Sequence, residues 1–198
     1  MFVTFEGLDG SGKSTQAKLL AEALAGEGRD VVATREPGGT EAGERIRELI
    51  LSGPEIAPWT EAALFAAARA QLVEEVIAPG LARGADVICD RYLDSSLAYQ
   101  GIARGLGVER VLELNVHAIR GFLPDRTFLL LIDPEESARR LGEPSDRIER
   151  EDDAFRARVA EAYRELAATF PQRIVAIDGT RPPREIAEEI LEGVRQHS

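Results

Sequence analysis

Eight residues near the start of the chain carry the most specific chemical signal in the sequence. They read Gly7-Leu8-Asp9-Gly10-Ser11-Gly12-Lys13-Ser14, a full match to the phosphate-binding pattern G-x-x-x-x-G-K-[ST]. In such a loop, glycines let backbone N–H groups close around an anion, and the helix that follows adds its dipole. Lys13 is expected to reach the β- and γ-phosphates of a nucleotide, and the Ser14 hydroxyl to bind Mg²⁺. The segment therefore predicts a site for a nucleoside triphosphate.

The residues around this loop favour a phosphate site over an ordinary glycine-rich turn. Residues 2–5 form an apolar run typical of a buried strand, and residues 13–24 have helical periodicity. Strand, loop and helix is the order that the pattern requires. The chain also has 22 Arg but only two Lys, Lys13 and Lys18. A composition that otherwise uses arginine has kept a compact ammonium group where a phosphate loop needs a point charge.

Two acidic residues at the ends of predicted strands are candidates for the metal site. Asp90 follows the strand at 86–89, and Asp133 follows the apolar run at 126–132. An acid in this position is the usual Mg²⁺ partner in phosphate-loop enzymes, and the pattern alone does not choose between the two. Arg91, beside Asp90, is suited to grip a substrate phosphate with two hydrogen bonds. The alternative for this Asp-Arg pair is a surface ion pair at a strand end.

An aromatic residue and an arginine share one face of a predicted helix. Phe65 and Arg69 lie four residues apart, so both side chains point to the same side. The ring could stack on a base while the guanidinium donates to a base carbonyl. A lone Phe on a helix is more often part of the core, so the pair is a candidate base site and no more.

A break in the chain is flanked by three arginines. Arg139, Arg140 and Arg147 lie on either side of Gly142-Glu143-Pro144-Ser145. The segment at about residues 139–150 is either a solvated loop or a mobile lid. A lid would exclude water and bring arginine to the transferring phosphoryl group.

Alternating strands and helices must position these residues. Five short apolar strands are predicted, at 2–5, 31–34, 86–89, 126–132 and 174–177. Helices are predicted between them, at 13–24, 40–52, 58–83, 95–103, 109–120, 135–141, 154–170 and 184–195, with Pro79 expected to end or kink the third. Strands separated by helices predict a parallel sheet with helices on both faces. We expect one α/β domain, residues 1–198, because no linker or repeat divides the chain.

Composition and charge narrow the functional class. Of the 198 residues, 44% are apolar and 30% charged, as in globular proteins, and the net charge is −11. This charge argues against a nucleic-acid partner, because such proteins gain affinity by neutralising phosphates. A single cysteine, Cys89, excludes an intrachain disulfide, and no run approaches the roughly 18 apolar residues of a membrane span. We expect no membrane partner and a cytoplasmic location.

Phosphate loops occur in GTPases, kinases and ATP-driven switches, so other segments must decide between these classes. A GTPase would carry an Asn-Lys-x-Asp motif for its base, and this chain has no Asn-Lys pair. Small-molecule kinases instead need a second anion site that faces the γ-phosphate, which the arginines described above could supply. An ATP-dependent switch without a small acceptor stays open as a second class.

Four segments together resemble the thymidylate kinase family, and the resemblance runs through nearly the whole chain. They are, in order, Glu6-Gly7-Leu8-Asp9-Gly10-Ser11-Gly12-Lys13-Ser14-Thr15-Gln16, Thr34-Arg35-Glu36-Pro37-Gly38-Gly39-Thr40, Asp90-Arg91-Tyr92 with Ser95-Ser96-Leu97-Ala98-Tyr99-Gln100-Gly101, and Asp146-Arg147-Ile148-Glu149. The resemblance implies a three-layer fold of the P-loop NTPase type. It also implies transfer of the ATP γ-phosphoryl group to dTMP, with Mg²⁺ as cofactor, in a homodimer. Another nucleoside monophosphate or deoxynucleoside kinase is the alternative within the same class.

The same resemblance implies roles for individual residues. The dTMP site would contain Asp9 at the 3′-hydroxyl, Glu36, Pro37, Phe65 on the thymine ring, Arg69 at a base carbonyl, Arg91 at the phosphate, Ser96, Tyr99 at the 2′-position, Gln100 and Tyr163. The ATP site would contain Gly7, Leu8, Asp9, Gly10, Ser11, Gly12, Lys13, Ser14, Thr15, Arg139, Arg140 and, near adenine, Arg181. The metal would be held through Ser14 and Asp90, and the catalytic group would comprise Asp9, Lys13, Arg91 and Arg147.

One departure from part of the family concerns the source of positive charge. Eukaryotic members carry an Arg inside the phosphate loop, where this chain has Gly10-Ser11. The charge must then come from the lid, as in the bacterial type. We expect Arg147 to supply it, because this residue lies in the matching Asp-Arg-x-Glu segment, with Arg139 and Arg140 next in order.

Overall fold

Strands and helices alternate along the chain in a computed structural model that describes residues 1–143 and 146–196. The strands are β1 (Phe2–Gly7), β2 (Val31–Arg35), β3 (Asp86–Asp90), β4 (Arg126–Leu131) and β5 (Ile174–Asp178). The α-helices are α1 (Lys13–Gly26), α2 (Glu41–Ser52), α3 (Pro58–Leu72), α4 (Ala78–Ala82), α5 (Leu93–Ser96), α6 (Val108–Ile119), α7 (Pro134–Leu141), α8 (Asp153–Thr169) and α9 (Pro183–Arg195). Two π-helical segments, π1 (Val73–Ile77) and π2 (Leu97–Ala103), follow α3 and α5.

All five strands run parallel in one sheet, in the order β2-β3-β1-β4-β5. Val3 of the central strand pairs with Ile88 of β3 on one side and with Arg126 of β4 on the other. The chain moves outward from β1 to β2, returns to β3, and then crosses to β4 and β5. The loops after the central strands therefore lie together at the carboxyl edge, where α/β sheets bind ligands. The predicted five-stranded parallel sheet is confirmed.

Different helices cover the two faces of the sheet. Successive side chains of a strand point to opposite faces. Val3 and Phe5 of β1 lie in a core with Leu20 of α1 and Ile190 of α9. Phe2 lies in the second core, with apolar residues of α3, α6 and α8. The result is a three-layer sandwich, as the sequence predicts.

A wide helical turn replaces the simple helix predicted at 95–103. The segment begins as α5 and continues as π2, and the N–H of Arg104 donates to the carbonyl of Tyr99, five residues back, at 2.8 Å. Such turns are frequent at functional sites, since the extra residue per turn changes which side chains face inward. Tyr99 and Gln100 are both buried in this way. One inserted residue shifts the apolar spacing too little for the sequence pattern to indicate it.

The helix predicted at 58–83 is also divided, into α3, π1 and α4. Pro79 lies in the first turn of α4, where its missing N–H needs no partner inside the helix. The proline is therefore accommodated at the start of a new helical segment, and the helical course continues to Ala82.

Candidate active site

The phosphate loop connects β1 to α1 and closes tightly against β4. Gly7 has a φ of +136°, and a side chain there would place its Cβ 2.4 Å from the carbonyl oxygen of Leu130. Only glycine fits, because both the backbone angle and the space exclude a Cβ. The Lys13 Nζ donates to Leu8 O at 2.8 Å and lies 3.8 Å from Asp9 Oδ1. Burial and the nearby Arg91 lower the pKa of Lys13 to about 8.

A cavity of about 420 Å³ opens above this loop. Its walls carry the predicted loop residues Gly10, Gly12, Lys13, Ser14 and Thr15, together with Asp90, Arg91 and Arg140. The cavity is therefore lined by the glycine-rich loop on one side and by Arg91 and Arg140 on others, a combination that suits a polyphosphate. We call it the phosphate cavity.

The structure also distinguishes the two acids that the sequence left as alternatives. Ser14 Oγ donates to Asp90 Oδ2 at 2.5 Å, and Asp90 Oδ1 is buried with no hydrogen-bond partner among the described residues. Asp133 lies on the surface, with its side chain 84% exposed and 3.7 Å from Arg164. A hydroxyl and an unpartnered carboxylate oxygen are hard ligands that suit Mg²⁺, which usually takes only one or two protein groups beside phosphates and water. The residues present at Asp90 therefore fit a magnesium ion.

Arg91 and Asp9 form the bridge at the centre of the site. Arg91 has a φ of +69°, an uncommon conformation for a residue with a side chain and one that recurs at functional sites. Its Nη2 donates to Asp9 Oδ1, and its Nη1 donates to Gly7 O at 3.1 Å and to Tyr163 Oη at 3.2 Å. Burial alone would raise the pKa of Asp9, but the charges of Arg91 and Lys13 outweigh it and lower that pKa to about 2.

Glu6, to which the sequence analysis gave no role, contacts residues that hold Arg91 in place. It accepts hydrogen bonds from Tyr92 N at 2.8 Å, Ser95 Oγ at 2.6 Å and Tyr163 Oη at 2.9 Å. Burial, and then the charge of Asp94, raise the pKa of Glu6 to about 7. The feature of the sequence that could have pointed to Glu6 is an acidic residue inside an otherwise apolar strand. Tyr163, expected to line the site, instead lies 2% exposed behind Arg91 and orients it.

A second, smaller cavity of about 130 Å³ adjoins the first. Its walls carry the predicted residues Pro37, Phe65, Ser96, Tyr99 and Gln100. The two cavities share Asp9, Glu36, Arg47 and Arg91. We call the smaller one the base cavity, because it combines aromatic rings with a few polar groups.

Arg69 lies beneath this cavity and does not line it. Its guanidinium is fully buried and donates to Glu36 Oε2 at 2.6 Å, Ser96 Oγ at 3.0 Å and Asn115 Oδ1 at 2.5 Å. It also donates to Tyr92 O at 3.0 Å, so that all five N–H groups have protein partners. The predicted role at a base carbonyl is corrected here, since Arg69 holds Glu36 and Ser96 in place and has no N–H left to offer.

Arg47 is a second residue that the sequence analysis missed. It lies on α2, lines both cavities, and donates from Nη1 to Pro37 O at 3.0 Å. Arg47 belongs to none of the motifs described above. Its position on α2, the helix that follows Thr40, places it where the two cavities meet. Thr40 Oγ1 accepts from Gly43 N at 3.0 Å and thereby caps the first turn of that helix.

The three arginines expected on the lid, Arg139, Arg140 and Arg147, lie in different places. Arg140 reaches the phosphate cavity, where its Nη1 donates to Gly179 O at 3.1 Å. Arg147 lies elsewhere, because its Nη2 donates to Glu61 Oε2 at 2.7 Å and its Nε to Ile50 O at 3.0 Å. Arg140 and not Arg147 therefore lines the phosphate cavity in this structure, and the predicted order of their contributions to the reaction stays a prediction.

Two further arginines predicted at the ATP site lie outside the phosphate cavity. Arg139 is exposed and pairs with Glu136 at 2.7 Å, and Arg181 pairs with Glu189 at 2.5 Å. The predicted lid also includes Pro144 and Ser145, which are outside the described residues. Residues 146–149 fold over the base cavity, where Asp146, Ile148 and Glu149 form part of its wall.

Comparisons with known proteins agree with this geometry. A sequence model of the family described as thymidylate kinase matches residues 5–190. The chain is 47% identical to a thymidylate kinase from Caldanaerobacter subterraneus subsp. tengcongensis over 198 residues, which cover 99% of this chain and 95% of that protein. It is 52% identical to a thymidylate kinase from Leifsonia xyli subsp. xyli over 194 residues, covering 96% and 92%. A crystal structure of thymidylate kinase from Ehrlichia chaffeensis has a TM-score of 0.81 at 34% identity and covers 98% of each chain.

Proposed function

This chain belongs to the thymidylate kinase family, and on that premise we propose that it transfers the γ-phosphoryl group of ATP to dTMP, giving dTDP and ADP. The observation that carries the proposal is the junction of the two cavities. One has the walls of a polyphosphate site and the other the walls of a nucleobase site, and Asp9 and Arg91 belong to both. Two phosphates brought to this junction lie next to each other, which is the condition for direct transfer.

The base cavity is the acceptor site in this proposal. Phe65 stacks on the thymine ring, and Tyr99 restricts the sugar beside Asp9. Arg91 and Arg47, which line both cavities, bind the dTMP phosphate. Two guanidiniums at this point counter the repulsion between the acceptor phosphate and the ATP polyphosphate.

The phosphate cavity is the donor site. The loop N–H groups and Lys13 bind the β- and γ-phosphates, and Arg140 approaches them from α7. Ser14 and Asp90 would hold Mg²⁺, which when bound would neutralise phosphate charge. A phosphate oxygen of dTMP attacks the γ-phosphorus while the bond to the ADP oxygen breaks, and the loose transition state is stabilised by the fixed cations. No protein base is needed, because the attacking oxygen of the dianion carries no proton.

A nucleotide panel tests this proposal. With ATP and Mg²⁺, ADP release should be faster with dTMP than with dCMP, dGMP or AMP. Lys13→Ala should lower kcat at least about 100-fold, because Lys13 neutralises charge that grows in the transition state. Lys18→Ala is the matched control, since Lys18 is 76% exposed on the same helix and pairs with Glu22 at 3.8 Å. Preference for another acceptor, or ATP binding without transfer to any of the four, would contradict the proposal.

We also propose a homodimer that works in the cytoplasm without nucleic-acid partners. Trp59 on α3 and Val116 on α6 are 45% and 50% exposed on helices that lie side by side. The proposal rests on the family resemblance, and these two side chains are candidate contacts in such an interface. Sedimentation should give about twice the mass of one chain, and a monomer at micromolar concentration would contradict this. Among the described residues, no helix is long and apolar enough to cross a membrane.

A further inference from the structure

Glu61 links the base cavity to the segment that folds over it. It lies in the first turn of α3, and its carboxylate is almost fully enclosed. It accepts from Gln100 Nε2 at 2.9 Å, from Arg104 Nη2 at 3.1 Å and from Arg147 Nη2 at 2.7 Å. Three side chains from π2, its C-terminal end and the lid segment therefore share one carboxylate.

In the hydrogen bond between Gln100 and Glu61, the donor must be the Gln100 amide. Burial opposes ionisation of Glu61, but hydrogen bonds from Gln100 and Arg104 and the Arg104 charge outweigh it, and the pKa of Glu61 is lowered. An ionised carboxylate can only accept, so the Gln100 amide must present its NH₂ group to Glu61. The carbonyl oxygen, at the other end of the amide, is then the group that Gln100 offers to the base cavity that it lines.

Ser96, a second polar residue of the base cavity, offers a hydrogen-bond donor where Gln100 offers an acceptor. Ser96 Oγ accepts from Arg69 Nη1 at 3.0 Å, so that its own proton is free to donate into the cavity. The base cavity thus holds an acceptor, on Gln100, and a donor, on Ser96. The imide edge of thymine or uracil has an N3–H donor beside a carbonyl acceptor and matches this pair. Cytosine carries an acceptor at N3 and a donor at the neighbouring amino group, and so is mismatched at both positions.

We propose that Glu61 is the positioning residue that makes the base cavity select an imide edge, by holding the Gln100 amide in one orientation with Arg104 and Arg147 as its counter-charges. The proposal rests on the proposed function, because it concerns the acceptor of that reaction. Without the carboxylate, the Gln100 amide can turn and offer either end to the base. A site that hydrogen-bonds its substrate rejects a mismatched analogue strongly, whereas a site with a rotatable amide does not.

The test compares Glu61→Gln with Glu75→Gln. Glu75 is an exposed residue on π1 that contacts Gln71, so its variant makes the same chemical change away from both cavities. In Glu61→Gln, the ratio of kcat/KM for dTMP to that for dCMP should fall at least about tenfold, since either end of the amide can then face the base. The ratio for dTMP to dUMP should stay unchanged, because both bases carry the same edge. Glu75→Gln should change neither ratio.

A purely structural role for Glu61 predicts a different result. It would lower the thermal stability and the activity with all acceptors together, leaving the dTMP to dCMP ratio as in the wild type, and that outcome overturns the proposal. If Glu61→Gln does not fold, Gln100→Met removes the amide while Glu61 stays paired with the arginines. This variant should show the same loss of discrimination, and an unchanged ratio also overturns the proposal. A wild-type enzyme that does not prefer dTMP at all would instead contradict the proposed function.

Discussion

Glu6 and Glu61 are equally buried carboxylates that support opposite ends of the acceptor site. Glu6 lies under the phosphate end and receives its hydrogen bonds from neutral groups, two hydroxyls and two backbone N–H groups. Glu61 lies beside the base end and receives hydrogen bonds from two guanidiniums and one amide. The two sites thus differ in the charge of their donors, although neither side chain has much exposed surface.

This difference gives the two carboxylates opposite pKa shifts. Desolvation raises the pKa of both, but only Glu61 has nearby cations that outweigh it. The pKa of Glu6 rises to about 7, and the charge of Asp94 adds to the increase. The pKa of Glu61 falls below its usual value. Burial alone therefore does not predict the ionisation state of an acid, and the partners must be known.

The largest expected effect concerns Arg140, which lines the phosphate cavity while Glu61 holds Arg147 outside it. Because Arg147 is bound to Glu61 while Arg140 lines that cavity, Arg140→Ala should lower kcat by about 100-fold or more with little change in the dTMP KM. Arg147→Ala should lower kcat less than about tenfold. Steady-state kinetics on both variants decide the matter. The reverse order would mean that Arg147 leaves Glu61 during the reaction, as the sequence motif alone suggests.

The next effect tests the cationic surroundings of Glu61. Glu61→Leu leaves Arg104 and Arg147 without their shared carboxylate, and their side chains are only 15% and 17% exposed. Breaking a buried ion pair in this way should lower the free energy of unfolding by about 3 kcal/mol. Urea denaturation at neutral pH measures it. A loss below about 1 kcal/mol would show that solvent already screens these charges, as at surface pairs.

The neutral surroundings of Glu6 predict a smaller effect on binding. In Glu6→Gln, the new NH₂ group turns the hydroxyl protons of Ser95 and Tyr163 toward Arg91, which should raise the dTMP KM about tenfold with a smaller change in kcat. Glu22→Gln is a suitable control for the loss of a carboxylate, since Glu22 is exposed on α1, pairs with Lys18 and lies outside both cavities. An unchanged KM would show that Asp9 and the carbonyl of Gly7 hold Arg91 without help from Glu6.

The same variant should change how stability depends on pH. In the folded protein the Glu6 pKa lies near 7, above the value of 4.5 expected in the unfolded chain. Between these values the folded state keeps a proton that the unfolded state releases, so the contribution of Glu6 to stability falls as pH rises from 4.5 to 7. Glu6→Gln should remove this decline, as measured by urea denaturation across the window. For Glu61 the sign is opposite, and its stabilising contribution should be lost on acidification below about 4.5.

The smallest effect separates one hydrogen bond from the whole Glu6 network. Tyr163→Phe removes the hydroxyl that connects Glu6 to Arg91, at 2.9 Å and 3.2 Å, without leaving a cavity. Loss of a single hydrogen bond typically costs about 1 kcal/mol, so the dTMP KM should rise about fivefold. Combined with Glu6→Gln, the two effects should be less than additive, because both act through the same contact. Full additivity would mean that Tyr163 and Glu6 act on Arg91 independently.

Much of the fold and part of the site could be predicted from the sequence. The strands were predicted from continuous apolar runs, and the metal and phosphate candidates lie directly at their ends. Phe65 and Gln100 were assigned to a base site and do line one cavity, but on the strength of family resemblance and not of spacing. The partners of Arg69 and Arg147 were missed, because a buried arginine and a lid arginine look the same in a linear pattern.

By itself the sequence determined the phosphate loop, the parallel sheet and the placing of Asp90 and Arg91 at a strand end. These features depend on residues adjacent in the chain, namely continuous apolar runs and the glycine pattern of the loop between strand and helix. Only the tertiary structure decided which carboxylate holds which group. Glu61 meets Arg147 across 86 residues, and Glu6 meets Tyr163 across 157. Such partners are chosen by the packing of helices on the two faces of the sheet, and desolvation together with the charge of the partner then sets the pKa, which no local pattern contains.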